Sequence, residues 1–492
     1  MRETAVENGA VRGIACGWPS ITVFYGIPYA APPVGRLRWQ PPQPAASWTG
    51  VRDCARPAPR CPQPPVNSFY RKEFYPVDGE MNEDCLYLNV WTPAREPGEK
   101  LPVIFWVHGG AFLTGYGTSA HFDGEPFARQ GVILVTINYR LGIFGWMVHP
   151  ELSAGSESGT SGNYGLLDQL CALDWVRRNI AAFGGDPENI TIAGQSAGAM
   201  CMQMLFLSPM AKGKFSRAIF QSGGGPDPVL DKRALPLAEV AARADLSLLG
   251  VGSLEEARAL PWQELFRRWK AVSGAEGLCQ APVVDGWVLP APVAELARKG
   301  DCPAVPCLIG YTDREGLPAA PSFARWVELL KQNYTPGQVK DYLALSGGEA
   351  GFANYKRDHY RIHCRASAES WALLQERRGA ETYLYCFDRA LPGDGRGAFH
   401  AADLWYVFST LGRGWRPWTK DDYWLAHACT TYWAQFAKSG NPNVDGLPDW
   451  TPYSSGNSRT MELGTSIGMT VMDEDDRVRF RRNVLLSEPA TG

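Results

Sequence analysis

The sequence predicts an α/β protein, a mostly parallel sheet covered by helices. Three observations predict it. The runs Val103–Val107 and Val132–Ile137 are strand-length and almost wholly apolar, as strands buried on both faces are. Between Asn163 and Phe183, the residues Leu166, Leu170, Leu173, Trp175, Val176 and Ile180 recur at helical spacing. Runs of the two kinds then alternate along the chain, the pattern of parallel strands joined by crossover helices.

The elements follow in order. Met1–Gly9 is charged and lacks an apolar core, which is not the pattern of a secretory signal, so the expected location is cytoplasmic. Residues 28–65 hold 11 of the 38 prolines, interleaved with Tyr29, Trp39 and Trp48, and read as a packed irregular segment. The helix after Asn163 ends at the breakers Gly184-Gly185-Asp186-Pro187. A strand at Ile190–Ala193 and a helix at Ala199–Leu207 come next, then strands at Ala218–Phe220, Pro306–Gly310 and Thr382–Phe387. The stretches 227–300 and 318–370 exceed an ordinary crossover and are expected to be insertions over one end of the sheet. The whole chain, 1–492, is expected to form one domain.

Composition narrows the function. A chain of 492 residues can bury about three quarters of its surface, so no staple is needed to fold it. The net charge of −3 lacks the basic excess of a nucleic-acid binder. The longest apolar runs are far too short to span a membrane. The 12 cysteines form no CxxC pair, so neither a zinc site nor a disulfide scaffold is indicated.

Chemistry concentrates at Gly194-Gln195-Ser196-Ala197-Gly198, where a strand gives way to a helix. That context is the nucleophile elbow, a turn that lifts a serine hydroxyl clear of the sheet; an ordinary glycine-rich turn is the competing reading. A serine needs a base, and there are seven histidines. His108 opens His108-Gly-Gly-Ala-Phe112 after a strand, and there Gly109 and Gly110 can turn backbone N–H groups toward an oxyanion. His359 and His363 are four apart on an expected helix, but no Glu gives them the HExxH pattern, so they read as an exposed helix face. His427 reads as structural, and His121 and His149 lie in loops without a local acid pattern. His400, in Gly397–Trp405, remains as the base. An acid should fall between Ser196 and His400, and spacing leaves Glu315 and Asp313 nearly level, with two surface charges beside Arg314 as the bland alternative.

Several motifs together resemble the type-B carboxylesterases, the group that includes the cholinesterases, within the α/β-hydrolase fold. They are Val23–Gly35, Glu83–Val90, the His108 loop, Phe183–Pro187, the Ser196 elbow, Pro282–Gly286, the His400 loop and Tyr432–Pro442. The resemblance implies an esterase that acts on small-molecule carboxylic esters without cofactor or metal. Residue by residue it implies Ser196 as nucleophile, His400 as base and Glu315 as acid, with Gly109, Gly110 and Ala197 as oxyanion donors. It favours Glu315 over Asp313 because the acid of the family precedes the glycine that is Gly316 here. Three positions depart from the family pattern. Gln195 stands where Glu is common before the serine, Asp403 where Glu is common three residues after the histidine, and Arg314 where an Asp precedes the acid. Cys61 and Cys85 fall where secreted relatives form an early disulfide. An aryl or feruloyl esterase, a lactonase, an amidase and a non-catalytic adhesion protein are the rival readings. Asn67–Gly79 lacks the tryptophan that holds quaternary ammonium in cholinesterases, which implies a preference for neutral esters.

Overall fold

A computed structural model describes residues 2–75, 79–225, 235–272, 278, 281–316 and 320–487. Alternation along the apolar runs decides how the layers stack. In the first run Val103, Phe105 and Val107 enter one core while Ile104 and Trp106 enter another, and Ile133 and Val135 part from Leu134 in the same way. Both faces of these strands are therefore buried, and helices must cover both.

Eleven strands of the described chain form one sheet. They are β1 (Ile14–Ala15), β2 (Thr22–Pro28), β3 (Tyr87–Thr92), β4 (Leu101–Val107), β5 (Ile133–Ile137) and β6 (Gly185–Gln195). After these come β7 (Arg217–Gln221), β8 (Cys307–Thr312), β9 (Thr382–Phe387), β10 (Arg459–Leu463) and β11 (Ile467–Val471). The spatial order is β11-β10-β9-β8-β7-β6-β4-β5-β3-β2-β1. From β10 through to β5 every neighbouring pair is parallel, and the antiparallel pairs lie toward the two edges. The chain has the expected α/β-hydrolase architecture. One boundary differs from the sequence reading: β6 starts at Gly185, inside the expected breaker. Its register against β4 shifts between the pairs Leu101–Gly185 and Val103–Ile190, so Pro187 needs no ladder hydrogen bond.

The helices that matter for the site are α1 (Ser68–Phe74), α2 (Tyr164–Asn179), α3 (Ala197–Leu207), α4 (Phe352–Glu376) and α5 (Lys420–Ser439). Leu166 and Leu173 of α2, Leu205 of α3 and Trp371 of α4 pack on one face of the sheet. Leu425, Trp433 and Phe436 of α5 pack on the other. A capping box at Thr419 and Asp422 starts α5, and Gly440, at φ 80°, stops it.

Buried ion pairs tie the irregular N-terminal third to this frame. Arg38 binds Glu83 in a fork at 2.6 and 2.7 Å, and Arg140 binds Asp168 at 2.8 and 2.7 Å, all four side chains being buried. Cys61 and Cys85 lie side by side as buried free thiols. The hydrogen bond between them, with burial, pushes the Cys85 thiol up.

The exposed face expected at His359 and His363 is not there. Both rings are buried, because α4 is covered nearly all round by polar as well as apolar neighbours. Arg481 donates to His363 Nδ1 at 3.1 Å, and His359 packs on Tyr355. His427, expected to be structural, is exposed and lies at a tilt beside the Trp424 ring. Among the described residues no group of His, Cys, Asp and Glu is placed to hold a metal ion, and no helix is long and apolar enough to cross a membrane. Parts of the expected insertions, and Pro76–Asp78 of the tryptophan-free stretch, lie outside the described residues.

Candidate active site

Strand order reverses at β4, with β5 laid on one side of it and β6 on the other. In open α/β sheets the crevice at the carboxyl ends of two such strands is where ligands bind. Here β4 runs into the His108 loop and β6 into Ser196.

Ser196 has φ 56° and ψ −127°, a conformation that side-chain-bearing residues adopt only when the surroundings impose it. Its N–H is held by the Gln221 carbonyl of β7 at 2.8 Å. The flanking glycines allow the crowding. A Cβ on Gly198 would lie 2.7 Å from the His108 carbonyl oxygen, and one on Gly194 would lie 2.5 Å from the Gly198 carbonyl carbon. The G-x-S-x-G spacing thus follows from α3 starting hard against the end of β4.

The His108 loop turns through three consecutive left-handed residues, Gly110, Ala111 and Phe112. Hydrogen bonds hold it there: Tyr139 donates to the His108 carbonyl at 3.0 Å, and Trp146 to the Phe112 carbonyl at 2.9 Å. The N–H groups of Gly109 and Gly110 meet no acceptor among the described residues. Ala197 N–H opens α3, where no intrahelical carbonyl reaches it. A Cβ on Gly109 would lie 3.0 Å from Ser196 Cβ, so the loop faces the serine closely. His108 itself donates from Nδ1 to the Gly109 carbonyl at 2.8 Å, and burial lowers it to about 4, which leaves it neutral at ordinary pH.

Glu315 and His400 are brought together by two loops laced side by side. Arg314 N–H donates to the Ala398 carbonyl at 2.9 Å, and Arg314 pairs with Phe399 as an isolated parallel bridge. That lacing turns the Glu315 carboxylate inward. One oxygen accepts the Thr312 N–H at 2.9 Å and the other meets His400 Nδ1 in a short hydrogen bond. Glu315 is 1% exposed, which rules out the surface-charge reading for it. Asp313 does not reach the histidine; it pairs with Arg314 and Arg361 at the partly exposed rim. The other ring nitrogen, Nε2, lies 3.2 Å from the Gln195 amide nitrogen. Among the described residues no hydrogen bond joins Ser196 to His400.

Two further groups here find partners that no local sequence signal announces. Asp403, one turn past His400, is fully buried and accepts from Tyr385 at 2.8 Å and Gln221 at 2.9 Å. Burial raises its carboxyl to about 6, although those two donors oppose the shift. Glu73 of α1 accepts from Arg416 at 2.8 and 3.0 Å, Trp405 at 2.9 Å and Trp415 at 3.0 Å. Arg416 also lies 5.1 Å over the Phe399 ring, so a buried charge pair clamps α1 to the histidine loop.

Residues 2–344 and 350–481 match the model of the carboxylesterase family. A para-nitrobenzyl esterase of Bacillus subtilis is 34% identical over 94% of this chain and 94% of its own. A fumonisin B1 esterase of Sphingopyxis macrogoltabida is 33% identical over 94% and 86%. A solved PNB esterase structure superposes with a TM-score of 0.85 at 31% identity, covering 97% of this chain and 99% of its own.

Proposed function

The chain belongs to the carboxylesterase family and is an ester hydrolase, and from that premise we propose that it works through Ser196, His400 and Glu315. Ser196 Oγ attacks the ester carbonyl while His400 Nε2 takes its proton. Glu315 fixes the tautomer with the proton on Nδ1 and stabilises the imidazolium that forms. The oxyanion is received by the N–H groups of Gly109, Gly110 and Ala197, whose donors need no reorganisation at the moment of reaction. His400 then protonates the departing alcohol, and water repeats the sequence on the acyl-enzyme.

The observation that carries this reading is the buried Glu315–His400 hydrogen bond, set beside a serine held at positive φ. Neutral esters are the preferred substrates. Phe69 and Tyr70 are the partly exposed aromatics of α1, with no tryptophan there to hold a quaternary ammonium group, and the residue before the serine is uncharged.

Covalent labelling tests the assignment. An organophosphate should add once, at Ser196, as read by intact mass and peptide mapping. Ser196→Ala should lose on the order of 10⁴-fold in kcat or more. Labelling elsewhere, or near-normal turnover by that variant, refutes it.

A further inference from the structure

Gln195 lies at the end of β6 with its side chain 4% exposed, and its amide nitrogen is 3.2 Å from His400 Nε2. Nε2 is the atom that must receive the serine proton if the proposed reaction holds, and this inference rests on that reading. With the Nδ1 proton shared with Glu315, the neutral ring presents a lone pair at Nε2, and the amide N–H is a donor of the right sense. The amide oxygen points the other way: a Cβ on Gly109 would come within 3.0 Å of it. The side chain thus spans the gap between the base and the loop of oxyanion donors.

We propose that Gln195 is a positioning residue for His400: its amide steadies the Nε2 edge of the ring, and its lack of charge keeps the base from gaining proton affinity. An amide can serve both states of the base. It donates to the neutral ring, and after a half-turn of its terminal torsion it can accept from the imidazolium. A carboxylate on the same arm could only accept, so it would favour the charged ring and raise the pH at which the base is free.

The groups that already face this histidine are few. Glu315 meets Nδ1 from the loop after β8, and Asp403 lies one turn along, held by Tyr385 of β9. The Tyr360 ring of α4 stands edge-on at 5.5 Å, and Tyr70 of α1 is close enough for Glu315 to act on its phenol. Arg416 reaches only the neighbouring Phe399 ring. A carboxylate at 195 would therefore add a new negative charge on the one ring edge that lacks one. An opposite charge within about 4–6 Å raises a histidine's proton affinity by about 1–3 pH units.

The experiment compares wild type, Gln195→Glu and Gln195→Met on an uncharged p-nitrophenyl ester, with active enzyme counted by organophosphate titration so that misfolded protein drops out. Gln195→Glu should move the acid limb of kcat/KM upward by at least about one pH unit. Gln195→Met, similar in shape but without donor or acceptor, should leave that limb in place while kcat falls about tenfold and KM barely changes. Superimposable limbs for wild type and Gln195→Glu would overturn the proposal. So would a Met variant whose limb moves as far as that of the Glu variant, since repacking alone would then account for the shift, or a Met variant with wild-type kcat. If Ser196 of the wild type takes no label, the proposed function itself falls. If it labels fully and the limbs coincide, only the role of Gln195 does.

Discussion

Glu315→Gln is the substitution with the sharpest expected outcome for the proposed triad, because the surroundings dictate how the new amide must sit. The glutamate uses its two oxygens differently: one accepts the Thr312 N–H at 2.9 Å, and the other meets His400 Nδ1. A glutamine keeps only one acceptor. Thr312 N–H is a fixed backbone donor in a site 1% exposed, so it claims the amide oxygen, and leaving it unpaired would cost about 1–3 kcal/mol. The amide NH₂ is then forced toward Nδ1. Two donors cannot face each other, so the ring shifts to the tautomer that carries its proton on Nε2, where it cannot accept one from Ser196. In a triad of this kind the wrong tautomer costs about 10⁴-fold in kcat with the geometry otherwise intact. Asp313→Asn is the control, since Asp313 pairs only with Arg314 and Arg361 at the rim and its loss should change kcat by less than about threefold. Steady-state kinetics on p-nitrophenyl acetate, with thermal melts to show both variants folded, would read the two together. A folded Glu315→Gln protein within about tenfold of wild type would refute the tautomer argument, and a larger loss at Asp313 would move the acid two residues upstream.

Asp403→Asn should make stability less sensitive to pH. The buried carboxyl is raised to about 6 from 3.8, so its contribution is full below about 4 and is lost as pH rises through 6. About two units correspond to at most roughly 3 kcal/mol, so the variant should gain up to that much over wild type at pH 8 and little at pH 4, measured by urea unfolding; an equal difference at both pH values would contradict it. A choline ester should be hydrolysed no faster than its uncharged 3,3-dimethylbutyl isostere. A good cation–π site would be worth about 2 kcal/mol, roughly thirtyfold, so a choline ester preferred by tenfold or more would place a cation site elsewhere in the pocket.

What could be read from the chain depended on how local each cause was. The central strands were legible because burial on both faces leaves continuous apolar runs, as at Val103–Val107 and Val132–Ile137. Those toward the edges were not: β1 is exposed, and β11, Ile-Gly-Met-Thr-Val, has no buried residue and carries no such run. Ser196 stood out because the crowding of α3 against β4 demands glycines at fixed offsets. Spacing could not separate Glu315 from Asp313, since the choice is made by backbone lacing between the loops after β8 and β9. The His359 and His363 face was misjudged because α4 is covered through polar contacts such as Arg481, which lies more than a hundred residues away. Glu73 and Arg416 likewise meet across the whole chain, and neither has a neighbour in sequence that announces the other.

The lacing of the Arg314 and Phe399 segments also has a consequence for how the enzyme comes into being on the ribosome. In the proposed mechanism the nucleophile, Ser196, is synthesised well before its base, His400; roughly 200 residues separate them, which at about 5–20 residues per second is a delay of about 10–40 s. Until the Phe399 segment emerges and lies down beside Arg314, the proposed base has no Glu315 carboxylate to orient it. The residues of the serine turn and of β6 and β7 all precede the histidine loop in the chain, so a nascent chain that ends before His400 would lack the proposed base. On that mechanism catalytic competence should arrive late in synthesis, and its onset in a synchronised translation reaction would time the docking of the histidine loop.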